Sequence, residues 1–314
     1  MSDASQTSPW PLRSLLFVPA HRGDWVEKSA RVEPDGVILD LEDAVVPDRK
    51  AGAREAIAGN IATLAAAGIA PLVRINALAD GAALDVQHVV ARGLEAVVLP
   101  KVNGPEDVAE LDRMLSEAEA AAGMPQRGVG IVPLPETARG LWLSYETAAA
   151  SDRVRGLMGP VSGPTSGDVA KSFGYQPSMD GEEQLYLQSR TILASRAAGG
   201  HHPLACVFGT PLDDLNAVEM LATRACRLGF TGVAAIHPSH VPVINRVFRP
   251  SEERIEYAGA LLEALKVANE AGEGAVRFRG KMIDAAMAAE ARAVLAEAKA
   301  RARAGMSGHA GMPG

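Results

Sequence analysis

With 314 residues the chain can fold as one (β/α)8 barrel plus an extension, or as two average domains. Its net charge of −7 comes from interspersed acids and bases, which excludes a general nucleic-acid surface but leaves room for local basic clusters that hold a phosphorylated ligand. No stretch is apolar over a bilayer's width and the N-terminus lacks a charged-then-apolar signal pattern, so a cytoplasmic protein that binds neither membrane nor nucleic acid is expected.

After a leader over residues 1–10, read as disordered, short β-branched runs alternate with Ala-rich segments of helical period. The runs are Arg13 to Val18, Gly36 to Leu41, Pro71 to Ile75, Ala96 to Leu99, Gly128 to Leu134, Val154 to Val161, Leu204 to Phe208 and Gly232 to Ile236. Near-continuous apolar strands imply burial on both faces, and strand-helix alternation implies parallel pairing through right-handed crossovers. Eight such units predict an α/β fold of the closed (β/α)8 type over residues 11–250. Helices are predicted over Arg49 to Ala66, Gly81 to Arg92, Pro105 to Ala121, Gln184 to Ala198 and Leu212 to Leu228. Residues 251–304 read as a C-terminal helical extension or lid. In it a helix from Ser251 to Ala271, a link over 272–280 and the segment Lys281 to Asp284 precede an Ala/Glu/Arg helix, and 305–314 read as a disordered tail. Cys206 and Cys226, the only cysteines, sit in apolar stretches without a Cys-x-x-Cys partner, which argues against disulfide, redox or zinc chemistry.

Functional groups of such a barrel gather at the carboxyl ends of its strands, and these ends are polar. The second strand ends Asp40-Leu41-Glu42-Asp43, the third Arg74-Ile75-Asn76, the fourth Pro100-Lys101, the fifth Glu136-Thr137 and the eighth Ile236-His237-Pro238. Strand parity gives Asp40 and Glu42 one face and Arg74 and Asn76 one face, with the barrel mouth as the better placement. The alternative is a set of barrel-end salt bridges, such as Glu42 with Arg74 or Lys101. Glu136 and Asp168, on neighbouring parallel strands, are candidates to share a hard cation such as Mg2+, which takes a few carboxylates and several waters. Against this, Glu136 also suits a helix start and Asp168 a turn or helix cap.

At these residues the chain resembles the citrate lyase beta-subunit-like group of the HpcH/HpaI aldolase family, the acyl-CoA ester lyases that include malyl-CoA and citramalyl-CoA lyases. The resemblance rests on Arg13-Ser-Leu-Leu-Phe-Val-Pro19, Leu39-Asp-Leu-Glu-Asp-Ala-Val45, Val73-Arg-Ile-Asn76, Leu99-Pro-Lys101, Pro135-Glu-Thr137, Leu228-Gly-Phe-Thr-Gly232, Ile236-His-Pro238 and Gly280-Lys-Met-Ile-Asp284. It implies a TIM barrel with a C-terminal helical extension, and Mg2+ held by Glu136 and Asp168. Arg74 would bind the carboxylate of a 2-oxo acid, Arg22 and Lys28 the phosphates of coenzyme A, and Phe17, Lys101 and Ile236 would line the substrate site. Glu42 and Asp43 would orient water around the cation. Asp284 would be the catalytic acid, acting in a neighbouring subunit of a homo-oligomer, a trimer or hexamer. Without the resemblance, Asp284 reads simply as the N-cap of the helix that follows.

Two departures stand out: Pro19-Ala20 where the family has Pro-Gly, and an expanded stretch between Gly159 and Asp168. The implied reaction is reversible cleavage of a carbon-carbon bond in a 3-hydroxyacyl-CoA, giving an acyl-CoA and a 2-oxo acid. Two other functions stay open: a metal-dependent aldolase acting on a free hydroxy-oxo acid, and a non-catalytic or accessory subunit of a larger lyase complex.

Overall fold

The structure, a computed structural model, describes residues 9–165, 167–200 and 202–308. Eight parallel strands form one sheet: β1 (Ser14–Pro19), β2 (Gly36–Asp40), β3 (Ala70–Arg74), β4 (Ala96–Leu99), β5 (Gly130–Pro133), β6 (Met158–Ser162), β7 (Leu204–Phe208) and β8 (Gly232–Ala235). Their order, β5-β4-β3-β2-β1-β8-β7-β6, is that of a (β/α)8 barrel laid open between β5 and β6. Around them run α1 (Gly23–Ser29), α2 (Lys50–Ala66), α3 (Ala82–Val89), α4 (Pro105–Ala121), α5 (Ala138–Trp142), α6 (Ser144–Ala149), α7 (Asp168–Phe173), α8 (Leu185–Ala197), α9 (Leu215–Leu228) and α10 (His240–Val247).

Each strand is apolar on both faces because each face has its own core. Leu15, Ile38, Leu72, Val98, Val132 and Leu204 fill the barrel interior. Their neighbours Leu16, Val37, Leu39, Val73, Val97 and Ile131 pack outward among Ile57, Ile61 and Leu64 of α2 and Leu111 of α4. Each such side chain stabilises the fold by roughly 1.5–3 kcal/mol. Trp10 closes the amino-terminal end: it is buried in the interior cluster, donates through Nε1 to Glu95 at 2.6 Å and stacks on His202. The leader expected over 1–10 thus reaches an ordered anchor, while residues 1–8 lie outside the described residues.

The ring is joined differently between β5 and β6. Among the described residues these strands meet only at the Ile131–Val154 bridge, near their amino-terminal ends, although a closed barrel is expected from the sequence. Proline explains the gap. Leu134 donates to Leu99 on the β4 side and Ile131 to the Arg153 carbonyl on the β6 side, so the alternation of N–H directions turns position 133 toward β6, where Pro133 has no N–H to give. On the other strand Gly163 donates to Phe208 of β7, which turns positions 160 and 162 toward β5. Pro160 lacks a donor, and Ser162 donates instead to Oε1 of Gln184 at 3.0 Å. Gln188 of α8 donates to the Pro160 carbonyl at 3.1 Å. Two fully buried glutamines thus satisfy the backbone where a strand ladder would. Below them Arg153, also buried, bonds Glu119, Asp112 and the Val129 carbonyl at 2.6–3.0 Å and pins the join from α4.

A second compact unit begins at Arg249. Helix α11 (Glu252–Glu270) is capped by Ser251, whose hydroxyl accepts the Arg254 N–H at 3.1 Å. The expected link over 272–280 instead supplies β9 (Ala275–Phe278), which pairs antiparallel with β10 (Lys281–Asp284). The two turn residues between them, Arg279 and Gly280, both have positive φ, 45° and 82°, as a tight hairpin requires. Buried Ile283 packs with Leu261, Leu265, Ala288 and Val294 of α11 and of α12 (Ala285–Gly308).

Candidate active site

The carboxyl rim of the barrel follows from the interior parity. Phe17, Asp40, Arg74, Glu136, Cys206 and Ile236 each stand two residues after an interior-facing Leu15, Ile38, Leu72, Leu134, Leu204 or Ala234. Counting by two therefore aims them at the mouth.

Arg74 is the most constrained of them. Its Nε and Nη2 donate to the two oxygens of Asp40 at 2.8 and 2.6 Å, its Nη1 lies 3.1 Å from Oε2 of Glu42, and the guanidinium sits 5.0 Å from the centre of the Phe17 ring. Asp40 is itself locked by the backbone N–H groups of Glu42 and Ala44. Burial alone lowers the Arg74 pKa, but Asp40 and then Glu42 outweigh it and leave it raised. A guanidinium has five N–H donors, so donors on both terminal nitrogens remain for a ligand.

Glu42 is buried between Arg74 and Lys101, whose Nζ lies 2.7 Å from Oε1. Neither contact has hydrogen-bond alignment, so the attraction is that of an ion pair. Burial raises the Glu42 pKa, with Lys101 and Arg74 opposing. The salt bridges read from the sequence as the alternative to a site are thus present, within the site itself. Exposed Asp43 lies 3.5 Å from Lys101.

Lys101 adopts a left-handed backbone, φ 55°, which aims its N–H at Oε2 of Glu136, 3.1 Å away. Burial pushes the Glu136 carboxyl up to about 7; the charges of Glu42 and Asp168 add to the shift, while the Lys101 amide and Arg74 oppose it. Asp168 is the exposed first residue of α7 and within electrostatic reach of both Glu136 and Lys101. A carboxyl that burial keeps from ionising, with a second carboxylate within electrostatic reach, has the chemistry of a site for a hard divalent cation such as Mg2+. Among the described residues no group of three or more His, Cys, Asp or Glu side chains could hold a metal, so such a cation would complete its shell with water and ligand oxygens.

Away from this cluster, Arg22 and Lys28 converge on one carboxylate. Asp24 accepts from Arg22 at 3.0 and 3.1 Å and from Lys28 at 3.5 Å, and Arg22 lies over the Trp25 ring at 4.0 Å. Ile236 is exposed at the mouth. Asp284, in the second unit, ends β10, and its Oδ1 accepts the Ala286 N–H at 3.0 Å, the helix-start contact legible in the sequence.

One placement differs from expectation. Asn76 does not share the mouth with Arg74; past the end of β3 the chain turns, and its amide bonds the Leu41 carbonyl, Asp85 of α3 and Lys50 of α2. Buried Asp85 also takes Arg54 at 2.6 Å, so this network secures the loops after β2 and β3 from behind. The direct partner of Arg74, Asp40, was flagged only for its strand parity with Glu42. Cys206 carries no signal of the site in its apolar stretch; its thiol is pushed up to about 12 by burial and lies within electrostatic reach of Arg74 and Glu136.

Comparison with known proteins gives the family of the chain. The family HpcH/HpaI aldolase/citrate lyase matches residues 13–238. The citrate lyase subunit beta of Haemophilus influenzae is 31% identical over 295 residues, 93% of this chain and 98% of that protein. The L-malyl-CoA/beta-methylmalyl-CoA lyase of Cereibacter sphaeroides is 32% identical over 310 residues, 92% of this chain and 95% of the relative. Among solved structures, the protein CitE of Mycobacterium tuberculosis in complex with magnesium, acetoacetate and coenzyme A superposes with a TM-score of 0.71 at 29% identity, covering 93% of this chain and 99% of that one.

Proposed function

Because the chain belongs to the HpcH/HpaI aldolase/citrate lyase family, we propose that it is a Mg2+-dependent carbon-carbon lyase that cleaves a 3-hydroxyacyl-CoA, such as malyl-CoA or citramalyl-CoA, to an acyl-CoA and a 2-oxo acid, or forms it by Claisen-type condensation. The observation that carries this reading is the juxtaposition at one rim of a clamped guanidinium with free terminal donors and a carboxyl held near neutrality.

Glu136 and Asp168 hold the cation, which when bound supplies Lewis-acid stabilisation of the oxygen that becomes the carbonyl of the oxo acid. Arg74 takes the oxo-acid carboxylate on its terminal nitrogens, a planar recognition that lysine cannot reproduce. Asp40 fixes the plane of that guanidinium, and Phe17 supports its face. Glu42 and Asp43 would accept from water around the cation, and Lys101 opposes the rise that burial gives the Glu42 pKa. Arg22 and Lys28 exchange their hold on Asp24 for coenzyme A phosphates, and Ile236 offers an apolar edge to the thioester. The hydroxyl proton leaves to water as its C–O bond becomes the carbonyl, the electron pair of the broken carbon-carbon bond passes to the thioester enolate, and the enolate carbon takes a proton from Asp284 of a neighbouring subunit; in condensation the same group removes it and the new alkoxide is protonated from water.

A screen of malyl-, methylmalyl- and citramalyl-CoA, with and without Mg2+, following glyoxylate or pyruvate release, tests this reading. Equal turnover of the free acids would favour an aldolase that needs no coenzyme A, the reading suited by the engagement of both Arg22 and Lys28 with Asp24.

A further inference from the structure

The two carboxylates proposed to hold the cation stand on segments that the barrel itself does not tie together. Glu136 follows β5 and Asp168 follows β6, and toward the rim these strands share no ladder among the described residues. Their spacing therefore has to be set by contacts beyond the strand ends, and two of these are present.

The first joins the segments directly. Ala138, two residues after Glu136, is the first residue of α5, and its N–H is one of the orphan donors of a helix start. The cap residue Thr137 takes the Gly140 N–H at 3.0 Å, and Ser172 takes the Ala138 N–H on its hydroxyl at 2.9 Å. Ser172 lies four residues, about one helical turn, after Asp168 on α7. One hydrogen bond thus connects the backbone beside one carboxylate to the short helix that begins with the other. Behind it Leu141 of α5 packs with Val169 of α7.

The second contact fixes where α7 starts. A Cβ on Gly167 would meet the Phe208 ring at 3.3 Å, so the residue before Asp168 lies close against the end of β7. The Gly163 N–H donates to the Phe208 carbonyl at 2.9 Å and the Thr165 hydroxyl to the Gly209 carbonyl at 3.3 Å. Gly163, Thr165 and Gly167 are held from β7, and among the described residues Ser172 is the hydrogen-bonded tie from α7 to the Glu136 side.

We propose that Ser172 is a positioning residue: by accepting the Ala138 N–H it sets the gap between the Glu136 and Asp168 carboxylates across an unlaced join, and thereby the affinity for the divalent cation. The inference rests on the reading of those two residues as the cation's ligands, and its test separates the two. Mg2+ is titrated calorimetrically into the full-length protein and into the Ser172→Ala, Ser172→Thr, Asp168→Ala and Glu136→Ala variants, with thermal unfolding of each metal-free protein as a check on folding. Ser172→Ala is expected to weaken Mg2+ binding about 3- to 10-fold, the worth of one hydrogen bond. Its unfolding temperature should fall by no more than a few degrees, and Ser172→Thr, which keeps the hydroxyl, should restore the affinity. Wild-type affinity in Ser172→Ala, or failure of Ser172→Thr to recover it, overturns the positioning role if Asp168→Ala and Glu136→Ala lose binding. Unchanged binding in those last two removes the ligand reading on which it stands.

Discussion

A guanidinium gripped by Asp40 on one edge and touched by Glu42 on another can present its remaining donors in only one plane. Arg74→Lys keeps the charge and loses the plane, so kcat/KM should fall by on the order of 100-fold while the circular dichroism spectrum stays unchanged. Glu136 carries a second prediction at this scale. Its folded-state pKa of about 7 lies above the unfolded value, so the stability its proton brings is complete below about pH 4.5 and lost as pH rises through 7. In EDTA at pH 8, Glu136→Gln should therefore be more stable than wild type by on the order of 1–3 kcal/mol, with little difference at pH 4.5. Equal urea midpoints at pH 8 would show that the carboxyl is not held near neutrality. Asp40 and Arg74 are legible in the sequence because strand parity is rigid and gives them the face of Ile38 and Leu72, while Glu136 is marked by standing where its apolar run stops. Asn76 was misread because parity ends with the strand, and nothing in Arg74-Ile75-Asn76 marks where the chain turns back toward Asp85.

Among the elements, the eight strands were legible to within a few residues, since burial on both faces writes an unbroken apolar run. The predicted helices Arg49 to Ala66 and Pro105 to Ala121 are equally plain, whereas α1, α5, α6 and α7 have seven residues or fewer, too short for a helical period to emerge. The β9–β10 hairpin was invisible for another reason: its strands are largely exposed, and its turn is Arg279-Gly280 in place of the Asn-Gly or Asp-Gly that announces such a bend. The departure from a closed barrel was written in Pro133 and Pro160, but reading it requires knowing which way each N–H faces. Arg153 is the side chain on which that part of the fold leans. Arg153→Ala leaves Glu119 buried without its cation and should cost about 3–5 kcal/mol in urea unfolding, far more than loss of a surface pair such as Arg113 with Glu117.

At the scale of the whole molecule, Asp284 belongs to a unit separate from the barrel that carries Arg74, and the proposal assigns its action to a neighbouring copy. Mixing inactive Arg74→Ala with inactive Asp284→Asn protein, then allowing subunits to exchange, should restore activity, because some assemblies pair an intact barrel with an intact acid. Persistent inactivity in verified mixed assemblies would place the acid and the barrel of one copy in the same site. The join between β5 and β6 has a consequence for motion as well. Elsewhere around the ring, parting two neighbours breaks a run of bonds that must re-form in concert; here, among the described residues, the two strands share the Ile131–Val154 bridge alone, and toward the rim the Ser162 amide is held by the side chain of Gln184. Breathing of the ring begins at this join, and deuterium should enter the Ser162 amide sooner than that of Val161, although both residues are buried at rest.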